Sequence, residues 1–370
     1  VKVGFQVDQL WFSAPGGIGT YVRELAPALA DGGGADLTLF HCRFPEPGPA
    51  WLAGFPTVEV PGPIRTLYPQ WDLVGRPKLP SSFDGFDVIH ATNPASVPPT
   101  RRGQALVVTV HDLAFEHHPD LFPTTWRWLY RAGVRAAVKR AAAILVPTRH
   151  TADDLLSRHA LDAGRVHVTP LAASLPATET DPAPALDRLG IAPPYLLSVG
   201  TQEPRKNLVR LVRAYRQVAP DVPHTLVLAG TEGWGDEGLG LELDRPGPGT
   251  IVRTGHVSDE DLDALYRAAD AFAYLSLYEG FGLPLVEAFA RGVPSVASNT
   301  SSLPEVAGDA AVLVDPTDVG EIAEALADVL TEPDVAADLR RRGRERASSF
   351  TWTATARTTL EAYRRVTGAT

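Results

Sequence analysis

Residues 271–292 read AFAYLSLYEGFGLPLVEAFARG. The first part, Ala271–Leu277, is short, apolar and aromatic and holds no Gly or Pro, the composition of a buried strand. Pro284 suits a first helical position, where its missing N–H costs nothing, and Gly292 suits the position just past a helix end. The stretch therefore reads strand, turn, helix. Glu279 falls just past the C-terminal end of the strand and Glu287 in the first helical turn. Between them, Gly280 and Gly282 permit positive φ and a close approach of ligand, and N–H groups at the helix start favour an anion. In open α/β sheets this edge is where ligands bind.

The same alternation runs through the whole chain. Strand-like runs occur at 1–7, 35–40, 86–92, 105–110, 142–148 and 166–171, many of them separated by helical stretches. A second series occupies 195–200, 225–230, 250–255, 271–277, 294–299 and 311–315. Alternating strands and helices imply parallel sheets covered on both faces. The fold class expected is α/β, two doubly wound Rossmann-like domains with a cleft between them as the default ligand site. The expected boundaries are a first domain over 1–172, a Pro- and acid-rich linker over 173–190 and a second domain over 191–352. From Val335 on, the end reads as helix, with 353–370 packing back on the first domain. In the helix at 259–269, Ser258 and Asp261 make a capping-box-like start. The string Asp261-Leu-Asp263 there resembles a divalent-metal motif, but acids belong in a first turn without any ligand.

A chain of 370 residues with 44% hydrophobic content has material for two cores. Its net charge of −10, from 34 basic and 44 acidic residues, argues against nucleic acid as the main partner. One cysteine, Cys42, excludes a disulfide framework. With no signal peptide and no apolar run of membrane-spanning length, the expected location is cytoplasmic.

Taken alone, Glu287 is a first-turn acid that complements the helix dipole and Glu279 a solvated loop acid. Beside an anion site, they are better read as acceptors for hydroxyls attached to that anion, the layout of a nucleotide sugar. SVGTQEPRKNL (198–208) puts Arg205 and Lys206 at another strand end and helix start, where a guanidinium and an ammonium suit phosphate. Two solvated loop cations are the plainer alternative. SAPGGIGTYVREL (13–25) is a glycine loop leading into a helix; its third fingerprint position is Val22 rather than Gly, and the next strand ends in Phe40-His41-Cys42 without an acid, which counts against NAD and FAD. His111 ends the strand 105–110, as a cleft residue or as an ordinary structural histidine. No HExxH or paired CxxC is present.

Together, GTQEPRKN, GHVSDEDLDALYRAADAF, SLYEGFGLPLVEAFARGVPSVASNTSSLPEV and the pair Glu279 and Glu287 resemble family 4 of the glycosyltransferases, retaining enzymes of the GT-B fold. The resemblance implies that Glu287 holds the ribose hydroxyls, Glu279 accepts from the donor sugar, and Arg205 and Lys206 bind the diphosphate. It implies that the backbone of Gly280, Phe281, Gly282 and Leu283 faces sugar and phosphates, that Gly16 and Gly17 close over the diphosphate, and that His111 contacts the sugar near the reacting carbon. The segment at Val257 would line the base. Thr201 stands where many members carry Arg, and Arg205 is expected to take that duty. The implied reaction moves a hexose from a nucleoside-diphosphate co-substrate to a hydroxyl of a saccharide or glycoside acceptor, with retention and without a metal or other cofactor. GDP-mannose is the expected donor, with UDP-glucose, UDP-N-acetylglucosamine and a sugar-nucleotide epimerase on the same frame as alternatives. A glycoside hydrolase would leave the cations and glycine loop unexplained, a phosphorylase would need a Lys for pyridoxal phosphate, and a sensor would bind without turnover.

The acceptor is expected on the first domain, where Trp51, Tyr68 and Trp71 lie in stretches rich in Pro and aromatics and could stack on sugar rings. Arg127, Arg131, Arg135 and Lys139 recur every fourth residue beside Trp126 and Trp128. That stripe reads as solvated surface; contact with the inner face of an anionic membrane is the alternative.

Overall fold

The computed structural model describes residues 1–12, 15–174, 180–235 and 237–369. They fall into two compact units, Val1–Leu171 with Thr351–Thr370, and Ala172–Phe350. In the first unit the strands are β1 (Lys2–Gln6), β2 (Asp36–Cys42), β3 (Thr57–Val60), β4 (Val88–Ala91), β5 (Ala105–Thr109), β6 (Ala143–Val146) and β7 (Val166–Val168). They make one sheet in the order β3-β2-β1-β4-β5-β6-β7. Every pairing is parallel, with Phe5 of β1 opposite Leu39 of β2 and His90 of β4. In the second unit the strands are β8 (Tyr195–Val199), β9 (Thr225–Ala229), β10 (Ile251–Gly255), β11 (Ala271–Tyr274), β12 (Ser295–Ser298) and β13 (Val312–Val314). Their order is β10-β9-β8-β11-β12-β13, again all parallel.

Consecutive side chains on a strand face opposite sides of the sheet. All four residues of β6 (AILV) and of β11 (AFAY) are buried, so both faces of each sheet are covered. That is why these strands are continuous apolar runs rather than alternating ones. Each such Val, Leu, Ile or Phe contributes about 1.5–3 kcal/mol by leaving water. Each sheet reverses its strand order once, between β1 and β4 and between β8 and β11. These are the switch points where crossovers diverge and a crevice opens at the C-terminal strand ends.

Four local features differ from the sequence reading. β3 is an unanticipated four-residue edge strand closed in by Pro56 and Pro61. The stretch 66–77, to which the sequence reading assigns no element, is largely helical: Ile64–Val74 is a helix despite Pro69, and it buries Leu67, Tyr68 and Trp71. The end is two helices rather than one, Pro333–Ser348 and Trp352–Thr367, divided at Ser349-Phe350-Thr351, where the Thr351 side chain accepts from the Ala354 amide as a new N-cap. Trp352–Thr367 belongs to the first unit, where the Tyr363 hydroxyl meets His90 Nδ1 at 2.6 Å and the Thr355 hydroxyl donates to the Pro170 carbonyl. Finally, Gly16 and Gly17 open the helix Gly16–Asp31 itself; Gly16 has φ of 55° and the Gly19 amide bonds the Pro15 carbonyl. Ser13 and Ala14 of that motif lie outside the described residues.

On the helix Thr124–Arg140, Trp126 and Trp128 are 48% and 50% exposed. No helix among the described residues is long and apolar enough to cross a membrane.

Candidate active site

The switch point of the second sheet gathers most of the residues singled out from sequence. After β8 the chain turns through Gly200 and Thr201 into a single turn of 3₁₀ helix, Pro204–Lys206, and then the helix Leu208–Val218. Asn207 joins the two in a left-handed conformation (φ 60°), which Asn tolerates better than most residues. Its side-chain amide donates to the carbonyls of Leu275 (3.1 Å) and Pro316 (2.7 Å), and the Leu277 amide bonds the Arg205 carbonyl. These bonds pin the Arg205–Lys206 turn to the end of β11.

There the two cations meet Glu279. Lys206 Nζ lies 2.6 Å from Glu279 Oε1, and Arg205 Nη1 lies 2.9 Å from Glu279 Oε2. Arg205 also donates to Glu203 Oε1 at 2.6 Å and to the Tyr278 carbonyl at 2.7 Å. Burial alone would push the Glu279 carboxyl up, but the neighbouring Arg205 and Lys206 outweigh it and hold it down at about 2. Its backbone is fixed as well. The Glu279 amide donates to Ser301 Oγ and its carbonyl accepts from Ser302 Oγ, both at 2.9 Å. Ser301 holds a left-handed backbone (φ 55°), uncommon outside Gly.

Past Glu279 the chain enters the helix Leu283–Ala290. Gly282 has φ of 97°, and a Cβ there would come within 2.7 Å of Leu303 Cδ2, so only Gly fits. The amides of Leu285 and Val286 bond back to the Gly282 carbonyl. Those of Phe281, Gly282 and Leu283, all buried residues, donate to no acceptor among the described residues. Three successive amides without an acceptor, with a left-handed Gly among them, are the arrangement expected of an anion nest.

Glu287 is not in the first turn, contrary to the sequence reading, because the helix begins one residue before Pro284. The dipole therefore does not explain it. It is buried at 7% exposure, Oε1 accepts from Ser174 Oγ at 3.0 Å and Oε2 from the Tyr266 hydroxyl at 3.3 Å. Burial raises its carboxyl pKa, with the Ser174 hydrogen bond and Arg291 opposing. Two accepted bonds leave lone pairs for further hydroxyls. Thr201 lies at the same strand edge, its methyl group against Gly233. Val257 sits in the turn after β10, two strands across the sheet from β8, roughly 10 Å at ordinary strand spacing.

Asp261 and Asp263 hold arginines. Asp261 pairs with Arg188, and the fully buried Asp263 with Arg267 at 2.8 Å and Arg291 at 2.9 Å. Asp263 thus lies past the first turn, in a core ion pair.

In the first unit, His111 follows β5 and its Nε2 lies 2.8 Å from the Thr92 carbonyl. A carbonyl only accepts, so Nε2 carries the proton and Nδ1 keeps a lone pair. Burial lowers the His111 pKa to about 4, so the ring is neutral at pH 7. Two of the proposed acceptor residues are corrected. Trp71 is fully buried and donates to the Pro77 carbonyl, and Tyr68 is 5% exposed with its hydroxyl on Asp8. Neither ring has a free face, because Leu67, Tyr68 and Trp71 form the inner side of a helix. Trp51 is half-buried, edge-on to Phe55.

Sequence reasoning missed Asn207, Ser174, Tyr266, Tyr274, Ser301 and Ser302. Ser301 and Ser302 stood inside the SNTSSLPEV motif without a role and Ser174 in the expected linker, whereas Tyr274 lay in an apolar strand and Tyr266 on the buried face of a helix, where nothing marks a hydroxyl.

Two doubly wound parallel sheets, one with an anion nest, two cations and two buried carboxylates at its switch point, define a glycosyltransferase of the GT-B fold. The family model Glycosyltransferase Family 4 matches residues 15–175, and Glycosyl transferases group 1 matches 188–346. The O-antigen chain mannosyltransferase B of Escherichia coli is 31% identical over 98% of this chain and 100% of its own length. The MMP alpha-(1->4)-mannosyltransferase of Mycolicibacterium hassiacum is 30% identical over 85% of this chain and 76% of its own. Sucrose-phosphate synthase from Thermosynechococcus elongatus shares the fold, with a TM-score of 0.76 at 22% identity over 100% of both chains. The chain belongs to glycosyltransferase family 4 and is a hexosyltransferase.

Proposed function

We propose that the enzyme moves mannose from GDP-mannose to a hydroxyl of a saccharide or glycoside acceptor, with retention and without a metal. The observation that carries the reading is the run of three amides at Phe281–Leu283 with no acceptor among the described residues, two residues past the Glu279 that holds the ammonium of Lys206. Lys206 gives one proton to Glu279 and one to Tyr274, and an ammonium has three. The third N–H and the three amides supply positive potential where charge develops on the departing β-phosphate. Such fixed donors do the work a divalent cation would otherwise do. Arg205 bonds Glu203, Glu279 and the Tyr278 carbonyl, so we assign it to holding Glu279 rather than to gripping phosphate.

Glu279, ionised throughout the working pH range, accepts from a donor-sugar hydroxyl, and Glu287 accepts from the ribose. Thr201 and Val257 remain on the nucleotide side of this assignment. In the first unit, Gly16 and Gly17 start a helix with exposed backbone suited to a phosphate, and Nδ1 of His111 keeps a lone pair suited to a sugar hydroxyl. For the acceptor, Trp51 is retained as a stacking surface. Mannose is favoured over glucose because relatives named as mannosyltransferases match nearly the whole chain. We place the enzyme in the cytoplasm, read the Arg127–Lys139 stripe as solvated, and expect no flotation with anionic liposomes.

The test is product analysis after incubation with GDP-mannose, UDP-glucose or UDP-N-acetylglucosamine, mannose oligosaccharides and EDTA. Transfer from GDP-mannose that survives EDTA supports the proposal. Turnover with a uridine nucleotide alone, or loss of transfer on chelation, overturns it.

A further inference from the structure

Tyr274 is the last residue of β11 and 3% exposed. In sequence it is one more aromatic of an apolar strand. Its hydroxyl nevertheless accepts from Lys206 Nζ at 2.8 Å and donates to Glu279 Oε1 at 2.9 Å. The ammonium also stands over the ring, 4.9 Å from its centroid. The Cε1 edge of the same ring faces Gly282: a Cβ built there would sit 3.5 Å from Tyr274 Cε1. One side chain thus touches the cation, the acid and the backbone that carries the free amides. Phe272, stacked at 5.9 Å, supports the ring within the sheet.

A lysine ammonium on a four-carbon stem is a mobile point charge. Glu279 alone would draw Lys206 towards itself and away from a phosphate. With the Tyr274 hydroxyl as a second, neutral acceptor and the ring face as a floor, the nitrogen has two bonds fixed in direction, and its third N–H is left with one outlet. Burial and the nearby Glu279 keep the phenol protonated, so it stays a donor to the carboxylate.

We propose that Tyr274 is a positioning residue that aims the third N–H of Lys206 at the transferring phosphate, and this rests on the donor-site reading above. Its effect is exerted in the transition state, where charge on the β-phosphate is greatest, more than in ground-state binding.

The experiment compares wild type, Tyr274→Phe, Lys206→Ala and the double variant, following GDP release from GDP-mannose with a mannose oligosaccharide acceptor. Tyr274→Phe keeps the ring and hence the packing. Loss of a hydrogen bond to a charged group predicts kcat lower by roughly 10- to 100-fold, with KM for GDP-mannose changed by less than about threefold, the pattern of a lost transition-state interaction. The double variant should be no slower than Lys206→Ala alone, because a residue acting through Lys206 has nothing left to position. An unchanged kcat in Tyr274→Phe, a loss confined to KM, or losses that multiply in the double variant overturn the inference while leaving the donor site standing. An unchanged rate in Lys206→Ala overturns the donor-site reading and the inference with it.

Discussion

Replacing Glu279 by Gln removes a negative charge and little else. The side chains involved are 9% (Glu279), 14% (Arg205) and 12% (Lys206) exposed, so water screens the cluster poorly. Arg205 keeps Glu203 at 2.6 Å, but Lys206 loses its counter-charge and keeps only neutral acceptors, the Tyr274 hydroxyl and the new amide oxygen. Breaking a buried ion pair costs about 3–5 kcal/mol, and the amide oxygen that remains places this variant near ~3 kcal/mol. For a unit of this size each kcal/mol lowers Tm by roughly 2–4 °C, giving a fall of about 6–12 °C at pH 7. The pH dependence follows from the depressed carboxyl. Against burial, Arg205 and Lys206 hold Glu279 at about 2, below its ordinary 4.5. A carboxylate with a lowered pKa adds stability that is present above its unfolded value and lost as pH falls through its folded value. The Tm gap between wild type and Glu279→Gln should therefore stay constant from pH 7 to 5 and close as acid is added from about 4.5 towards 2. GDP should raise the Tm of the variant more than that of wild type, because the diphosphate supplies the missing anion. Calorimetric or circular-dichroism melts with and without GDP measure both. Equal Tm values at pH 7, or a gap indifferent to acid, would refute the assigned electrostatics.

Glu287 should behave in the opposite sense. Burial raises its pKa, so its contribution to stability is present below about 4.5 and lost as pH rises. Glu287→Gln should melt higher than wild type at pH 7 without ligand, yet bind GDP about 10- to 100-fold more weakly by calorimetry for loss of charged hydrogen bonds. Trp71→Ala should cost about 3–5 kcal/mol in denaturant unfolding, as a fully buried Trp does. Trp51→Ala, at a half-buried site, should change stability far less and instead raise KM for the saccharide acceptor in steady-state kinetics.

The two sheets were legible because burial on both faces writes each strand as an unbroken apolar run, as in AILV and AFAY. Edge strand β3 carries no such run: TVEV is short, half-polar and fenced by prolines. Pro69 hid the helix Ile64–Val74, although Leu67, Tyr68 and Trp71 already stood at helical spacing. The donor side of the site was legible for a related reason. Glycines and charges placed at strand ends have few other uses, so Lys206, Glu279, Gly282 and Glu287 stood out. Partner choice was not legible, since it is made through space. Nothing in the order of residues says that Arg205 spends its donors on Glu203 and Glu279, that Asp263 is buried against Arg291, or that a tyrosine inside an apolar strand carries the hydroxyl shared by Lys206 and Glu279.

The central claim is that the β8–β11 switch point holds the diphosphate of the donor. Titration of GDP into wild type and Lys206→Ala by isothermal calorimetry tests it most directly. We expect saturable binding to wild type and an affinity roughly 10- to 100-fold weaker in the variant, the worth of a hydrogen-bonded charge. Equal affinity in both proteins, or no binding of GDP to wild type, would contradict it.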